Sequence, residues 1–314
     1  MSNILSRSSG DDLPERVPAG MPERLLGIDA GGSSTRIVIV ADGAIVERRP
    51  AQAMNARLTD HLEDRLLALI KPADAIAAGI GMPGLRSAQE AADLGRALSE
   101  RADRPVYITN DGITTWLGAF GTEPGIVVYA GTGSGVVGCD GTRWARAGGH
   151  GFLLGDEGSA YWMGKAGVNA ALRWEDGIGG SAALHDAIAA VGGDLDTLVR
   201  EVHSHPAARD KVTRFAPVVT SLAGTDEAAR EIVTRAAGHL ADLARTVRRA
   251  LGPLPVSGTG GVFSDPVIWA EFAEQTGATP PLAPPEVGAA LLAAAPRVRA
   301  VLGDPPVPLG DRHG

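Results

Sequence analysis

Leu25-Leu26-Gly27-Ile28-Asp29-Ala30-Gly31-Gly32-Ser33-Ser34-Thr35 is an apolar run that breaks into a glycine- and hydroxyl-rich turn and re-enters a strand over 36–40. About a hundred residues later the pattern returns as Ile126-Val127-Val128-Tyr129-Ala130-Gly131-Thr132-Gly133-Ser134-Gly135, again followed by apolar residues. A short apolar run bounded by turn residues reads as a buried strand. Glycine lets the backbone adopt positive φ and approach a ligand. Successive N–H groups in such a turn form an anion-binding nest. Gly31, Gly32, Ser33, Ser34 and Thr35 in the first turn, with Gly131 and Thr132 in the second, are therefore the candidate phosphate ligands. Either turn alone is equally a plain hairpin, because Gly-Gly turns are common there. Together, two strand–turn–strand hairpins can hold one polyphosphate from opposite sides, in an ATP-using enzyme whose cleft lies between two similar domains. Neither turn is a P-loop or a dinucleotide fingerprint: no G-x-x-x-x-G-K-[ST] run occurs, and the first turn leads into a strand rather than a helix.

Composition sets the outer bounds. The 314 residues suffice for two ordinary domains, and 44% apolar content supplies a core. A net charge of −8 disfavours nucleic acid or an anionic membrane as the main partner. No uncharged apolar run reaches spanning length. The first residues lack the layout of a secretion signal, and Met21 offers an alternative start. The single cysteine, Cys139, excludes an intrachain disulfide framework and an all-cysteine zinc site and fits a reducing cytoplasm.

Residues 1–22 are polar and aperiodic and read as a disordered lead-in, and the Pro- and Gly-rich stretch 303–314 as a flexible tail. Between them strands are expected at 25–29, 36–40, 44–48, 75–79 and 106–109, with helices at 59–70 and 89–101. The β-β-β-α-β-α-β order restarts at 126–129, with matching strands at 136–139 and 142–147. The second half is more helical, at 159–174, 181–190 and within 227–251. Strand 256–257 follows, and then a last helix at 285–301 carrying Gly288-Ala289-Ala290, small enough for close packing. This repeat around a cleft is the layout of the actin-like ATPase and sugar-kinase superfamily: an α/β fold of two ribonuclease H-like lobes. The lobes would span 23–115 and 116–284, with 285–302 as a helix following them.

The chemistry-bearing residues sit at the ends of these elements. Asp29 precedes the first turn and can hold Mg²⁺ through water, as hard-cation sites prefer. Asp111 closes strand 106–109 in Thr109-Asn110-Asp111-Gly112, and strand C-terminal ends are where open α/β sheets place ligands. Phosphoryl transfer to a hydroxyl needs an acceptor for the proton and an aligned nucleophile, and a carboxylate there supplies both. The bland alternative for Asp111 is a helix N-cap, which would leave Asn110 unexplained. Asp156 and Glu157, in Gly155-Asp156-Glu157-Gly158-Ser159, can accept hydrogen bonds from sugar hydroxyls, or simply favour a helix start. Gly258, Gly260 and Gly261 follow strand 256–257 and suit a flat adenine or ribose against bare backbone, or a tight strand-to-helix turn. His150, Trp116, Trp144 and Trp162 are ambiguous between core and sugar platform. His203 and His205 read as loop residues, with no metal-ligand pattern around them.

As a set, Asp-x-Gly-Gly at 29–32, Asn-Asp at 110–111, Gly-Thr-Gly-Ser at 131–134, Gly-Asp-Glu-Gly-Ser at 155–159 and Gly-Gly-Val-Phe at 260–263 resemble the BadF/BadG/BcrA/BcrD ATPase family. Within it they resemble the N-acetylglucosamine kinases, over roughly residues 25–300. The resemblance implies an ATP- and Mg²⁺-dependent amino-sugar kinase acting on a 6-hydroxyl. It implies Asp111 as base, with Asn55 and Asp156 on the sugar hydroxyls and Asn110, Gly133, Ser134 and Glu157 alongside. It also implies glycine turns on the phosphates, a last helix packed back on the first lobe, and a homodimer. The chain departs from the family at Ser34, where lysine is frequent, at His150, where tryptophan is frequent, and at Trp116, where alanine is expected. Superfamily members that drive 2-hydroxyacyl-CoA dehydratases hold an iron–sulfur cluster with two cysteines per subunit, which Cys139 alone cannot supply. A non-catalytic sugar sensor fits poorly with retained Asp29 and Asp111, and the zinc-containing sugar kinases with the missing cysteine-rich loop.

Overall fold

The computed structural model describes residues 24–31, 34–204 and 208–294. The expected lead-in and tail, part of the last helix, Gly32, Ser33 and His205 lie outside the described residues. The first sheet is built from β1 (Leu25–Ala30), β2 (Thr35–Ala41), β3 (Ala44–Ala51), β4 (Ala77–Gly81) and β5 (Val106–Thr109), in the order β3-β2-β1-β4-β5. The hairpin strands are antiparallel, and β1, β4 and β5 run parallel. The second sheet repeats this with β6 (Gly125–Ala130), β7 (Ser134–Cys139), β8 (Trp144–Gly148) and β9 (Val256–Thr259), in the order β8-β7-β6-β9. An isolated parallel bridge from Ser257 to Thr279 continues it at the position β5 holds in the first sheet.

Helices α1 (Leu62–Ile70) and α2 (Ala88–Ala102) cover one face of the first sheet, burying Leu66, Leu67, Ile70 and Leu98 against Leu26, Ile28, Ile37 and Ile80. Ser87 starts α2 by accepting from Glu90 N, while Glu90 reaches back to the N–H of Arg86. Helix α3 (Asp111–Phe120) and the last helix, α11 (Pro285–Ala294), occupy the opposite face. Their contact is made by glycine. A Cβ at Gly288 would lie 1.9 Å from the Thr114 carbonyl oxygen, and one at Gly118 2.7 Å from that of Pro284. Gly27 and Gly79 admit α11 onto the sheet in the same way. Leu117 and Trp116 of α3 pack in turn on Val127 and Val137, so α3 touches both sheets.

Of the helices α4 (Ala160–Glu175), α5 (Ala182–Gly192), α6 (Leu195–Ser204), α7 (Ala208–Thr213), α8 (Ala216–Leu222), α9 (Glu227–Leu251) and α10 (Pro266–Thr276), α9 lies on the second sheet and the others pack on it or on one another. Helix α9 is capped by Asp226, which accepts from Ala229 N, and ends with Arg248 and Arg249 near its negative pole. Its buried stripe Ile232, Val233, Ala236, Ala237, Leu240 and Ala244 follows helical periodicity.

Several expected boundaries move. The helix expected from Thr59 begins at Leu62, because His61 sits left-handed at φ 52 just before it. The strand expected at 75–79 lies two residues later. Helices α6, α7 and α8 have no counterpart in the sequence reading, α3 and α10 entered it only as the bland alternatives of a cap and a strand-to-helix turn, and His203 lies in α6 rather than in a loop. Helix α3 is buried on nearly every side and carries Gly112, Ile113, Thr114, Thr115 and Gly118, so neither periodicity nor propensity marks it. Among the described residues no helix is long and apolar enough to cross a membrane.

Candidate active site

Asp111 opens α3 immediately after β5. The cap is Asn110, whose Oδ1 accepts from Gly112 N at 3.0 Å. That arrangement accounts for both residues, since the capping role falls to the asparagine and leaves the aspartate at the first helical position. The half-buried Asp111 carboxylate accepts from Gly112 N, and its backbone carbonyl accepts from the hydroxyls of Thr114 and Thr115. Burial raises its pKa to about 6, against the opposing pull of the Gly112 and Asp111 N–H groups.

Asp29, the penultimate residue of β1, is 8% exposed, and its pKa is raised to about 7. Burial is the largest cause, followed by the charges of Asp111 and Glu286, with Arg36 opposing. Arg36 is its cross-strand partner on β2 and stays mostly exposed, with Nη1 3.9 Å from Asp29 Oδ2. Glu286, in the first turn of α11, is buried, with Oε1 3.9 Å from Arg48 and Oε2 without a hydrogen-bond partner among the described residues. Asp29 is a hard oxygen donor held off its arginine. No cluster of three or more metal-ligating side chains exists among the described residues. That donor set fits Mg²⁺ bound mainly by water and phosphate oxygens rather than an all-protein cage.

Asp156 approaches from the other side. It adopts the left-handed conformation at φ 61, is 7% exposed, and presses its carboxylate on the second glycine turn. A Cβ at Gly133 would lie 2.6 Å from its Oδ2. Burial raises its pKa, while N–H groups of Ser134 and Gly151 and the charge of Arg209 pull the other way. The adjacent Glu157 is exposed.

Other expected ligands are differently engaged. The Thr35 hydroxyl is fully buried and donates to the Gln52 carbonyl at 2.8 Å, away from its turn. The Ser134 hydroxyl donates to the Glu157 carbonyl at 2.7 Å and fixes the Asp156 loop. Gly131 N–H is used within the turn by Gly133 O, while nothing lies within 4 Å of a Cβ at Gly131. Asn55 Oδ1 accepts from Arg57 N and lies against Gly84, leaving its amide nitrogen as the group able to face a ligand. Gly258 is buried beneath Phe263, Trp269 and Phe272, each 3.1 Å from where its Cβ would be, so aromatic packing accounts for that glycine. Gly260 and Gly261 are exposed, and Gly260, at φ 105, presses on the Ala130 carbonyl. Trp116 is core: it is 1% exposed, donates Nε1–H to Gly125 O at 3.0 Å and stacks edge-on with Trp144. Trp162 packs on His239, and His150 is exposed.

One residue at the centre of the site escaped the sequence reading. Tyr129 is the penultimate residue of β6, as Asp29 is of β1, and it pairs with Gly135 as Asp29 pairs with Arg36. A tyrosine in an apolar strand reads as core. The available signal was its register against a glycine turn already singled out.

A family model of the BadF/BadG/BcrA/BcrD ATPases matches residues 26–293. Among solved structures, a candidate N-acetylglucosamine kinase from Chromobacterium violaceum is 27% identical, covers 86% of this chain and 99% of its own, and superposes with a TM-score of 0.68. Its counterpart from Porphyromonas gingivalis is 20% identical over 85% and 98%, with a TM-score of 0.72. A ROK family glucokinase from Streptomyces griseus, solved with glucose and AMPPNP, is 15% identical over 86% and 98%, with a TM-score of 0.60. The two-sheet fold is that of the actin-like sugar kinases, and the chain belongs to the BadF/BadG/BcrA/BcrD ATPase family.

Proposed function

We propose that this protein is an ATP-dependent amino-sugar kinase that transfers the γ-phosphoryl group to the 6-hydroxyl of N-acetylglucosamine or glucosamine. The observation that carries the reading is Asp111. It is a half-buried carboxylate at a strand end with a pKa near 6, so it is ionised at neutral pH yet basic enough to take a hydroxyl proton. Asp111 orients the sugar hydroxyl and accepts its proton as the oxygen bonds to phosphorus and ADP departs. Asp156, together with the Asn55 amide, accepts and donates hydrogen bonds to other sugar hydroxyls. The partly exposed backbone at Gly131, with the first turn opposite, lies against the phosphates and stabilises their charge. Mg²⁺ accompanying ATP would be held at Asp29 and would neutralise charge on the phosphates. Gly260 and Gly261 are the exposed glycines for the adenosine.

In this proposal the lobes are 23–115 and 116–284, closing on both substrates and excluding water. Of the segment 285–302, the described part is α11, which packs on the first sheet. A cytoplasmic location and a homodimer belong to the same reading. The iron–sulfur alternative finds no support: the only cysteine, Cys139, is buried on β7.

The test is a coupled ADP-release assay with Mg²⁺-ATP across a panel of amino sugars and plain hexoses. Release that depends on one sugar is the expected result. Sugar-independent hydrolysis, or binding of sugar with no turnover, would replace the kinase by an ATPase or a sensor.

A further inference from the structure

Tyr129 sits in a slot made of three glycines from three different places in the fold. Its strand alternation puts it on the same side as Val127, toward α3. A Cβ at Gly112, next to Asp111, would lie 3.7 Å from the ring edge. One at Gly135, its partner on β7, would lie 2.4 Å from the phenolic oxygen, so no other residue fits there without moving the ring. One at Gly149, just after β8, would lie 3.4 Å from the same oxygen. Bare backbone on three sides thus fixes where the hydroxyl points.

That hydroxyl makes no hydrogen bond to any described residue, although the tyrosine is half-buried. The oxygen is not sealed from solvent, so a bound ligand can reach it. The charged groups acting on it are Asp111, Arg146 and Asp156. Burial and the two carboxylates hold the phenol above its ordinary pKa, with Arg146 opposing, so it remains an O–H donor. Asp111 and Asp156 can only accept when ionised. A sugar hydroxyl that gives its proton to either one still has lone pairs to satisfy. Phosphate is the less suitable partner, because the largest charge acting on the phenol is the Asp111 carboxylate.

We infer that the Tyr129 hydroxyl is a sugar-positioning donor, bonding an oxygen of the acceptor sugar between Asp111 and Asp156. This rests on the kinase reading above. A site built to hydrogen-bond a hydroxyl discriminates strongly against analogues that lack it, so Tyr129 would also help to set which sugar is taken.

The experiment compares wild type with Tyr129→Phe, which keeps the ring in its slot and removes only the oxygen. Both are assayed with the sugar that turns over best and with its deoxy analogues. The sugar KM rises about tenfold, consistent with the loss of one buried hydrogen bond. The KM for Mg²⁺-ATP stays within about twofold on the same ground, and the melting temperature is unchanged. One deoxy sugar shows no difference between the two proteins, which identifies the oxygen bonded. An equal sugar KM in both proteins, or a rise in the ATP KM instead, overturns the role of Tyr129 while leaving the kinase intact. A wild type without any sugar-dependent turnover overturns both.

Discussion

The hairpins β1–β2 and β6–β7 share a geometry and differ in what they carry. In each, the penultimate residue of the first strand faces the second residue of the next across the ladder. In the first hairpin this pair is Asp29 and Arg36, with Arg48 and Glu286 nearby, so the position is densely charged. In the second it is Tyr129 and Gly135, a neutral donor over bare backbone. The difference teaches that a repeated scaffold can assign its two equivalent corners to different chemistry. In the proposed function, the charged corner manages metal and phosphate, and the neutral one helps to hold the acceptor. Asp111 stands between them, electrostatically coupled to both.

The strongest way to break this picture is to remove the group common to both corners. Asp111→Asn lowers kcat by about 10²-fold or more, the usual loss for a general base, with the far-ultraviolet spectrum unchanged. Near-normal turnover in that variant would falsify the assignment. Next comes the second corner. Gly133→Ala drives a methyl to within 2.6 Å of the Asp156 carboxylate. Displacement on that scale raises the sugar KM by roughly tenfold to a hundredfold, and steady-state titration with sugar at saturating ATP measures it. An unaltered sugar KM would remove Asp156 from the sugar.

A pH profile sharpens the role of the shared carboxylate. Asp111 works as a base only when ionised, and its pKa is raised to about 6. Below that value kcat falls by about tenfold per pH unit, and above it the limb is flat. A profile flat down to pH 4 contradicts the assignment. Gly131→Ala then separates fold from ligand at the same turn. Nothing lies within 4 Å of the added Cβ, so the melting temperature holds. The KM for Mg²⁺-ATP rises several-fold if phosphate occupies that space, and an unchanged value places the phosphate elsewhere.

The smallest expected effect concerns stability. Asp29 and Asp111 bind protons more tightly folded than unfolded, so their contribution falls as pH rises from about 4 to about 7. Asp29→Asn and Asp111→Asn therefore melt above wild type at pH 8, by about 2 °C or more on the usual scaling. The gain shrinks at pH 5. A larger gain at the lower pH would reverse the sign of the argument.

Local chemistry was legible in the sequence. The strand at 106–109 and the long helix ending at Leu251 follow from apolar patterning and caps, and the repeat follows from two glycine turns a hundred residues apart. Glycine was readable as bare backbone, but its beneficiary was not. Gly258 serves three aromatic rings, Gly135 serves Tyr129, and Gly27, Gly79 and Gly288 serve helix crossings. Hydroxyl partners were illegible for a similar reason. Thr35 and Ser134 look like phosphate or sugar ligands in a turn, yet each is spent on a backbone carbonyl 17 or more residues away.

The sequence by itself determined the family, the doubled α/β order and the acidic residues at strand ends, because turn chemistry, hydrophobic period and strand-end motifs are properties of neighbours along the chain. The tertiary structure alone decided that α3 is a helix buried on nearly every side, that Asn110 rather than Asp111 is its cap, and that Tyr129 sits among three glycines within the field of Asp111. Those outcomes depend on which surfaces meet. A side chain's charge state, free hydroxyl or missing Cβ acquires meaning only from groups that are remote in sequence and adjacent in space.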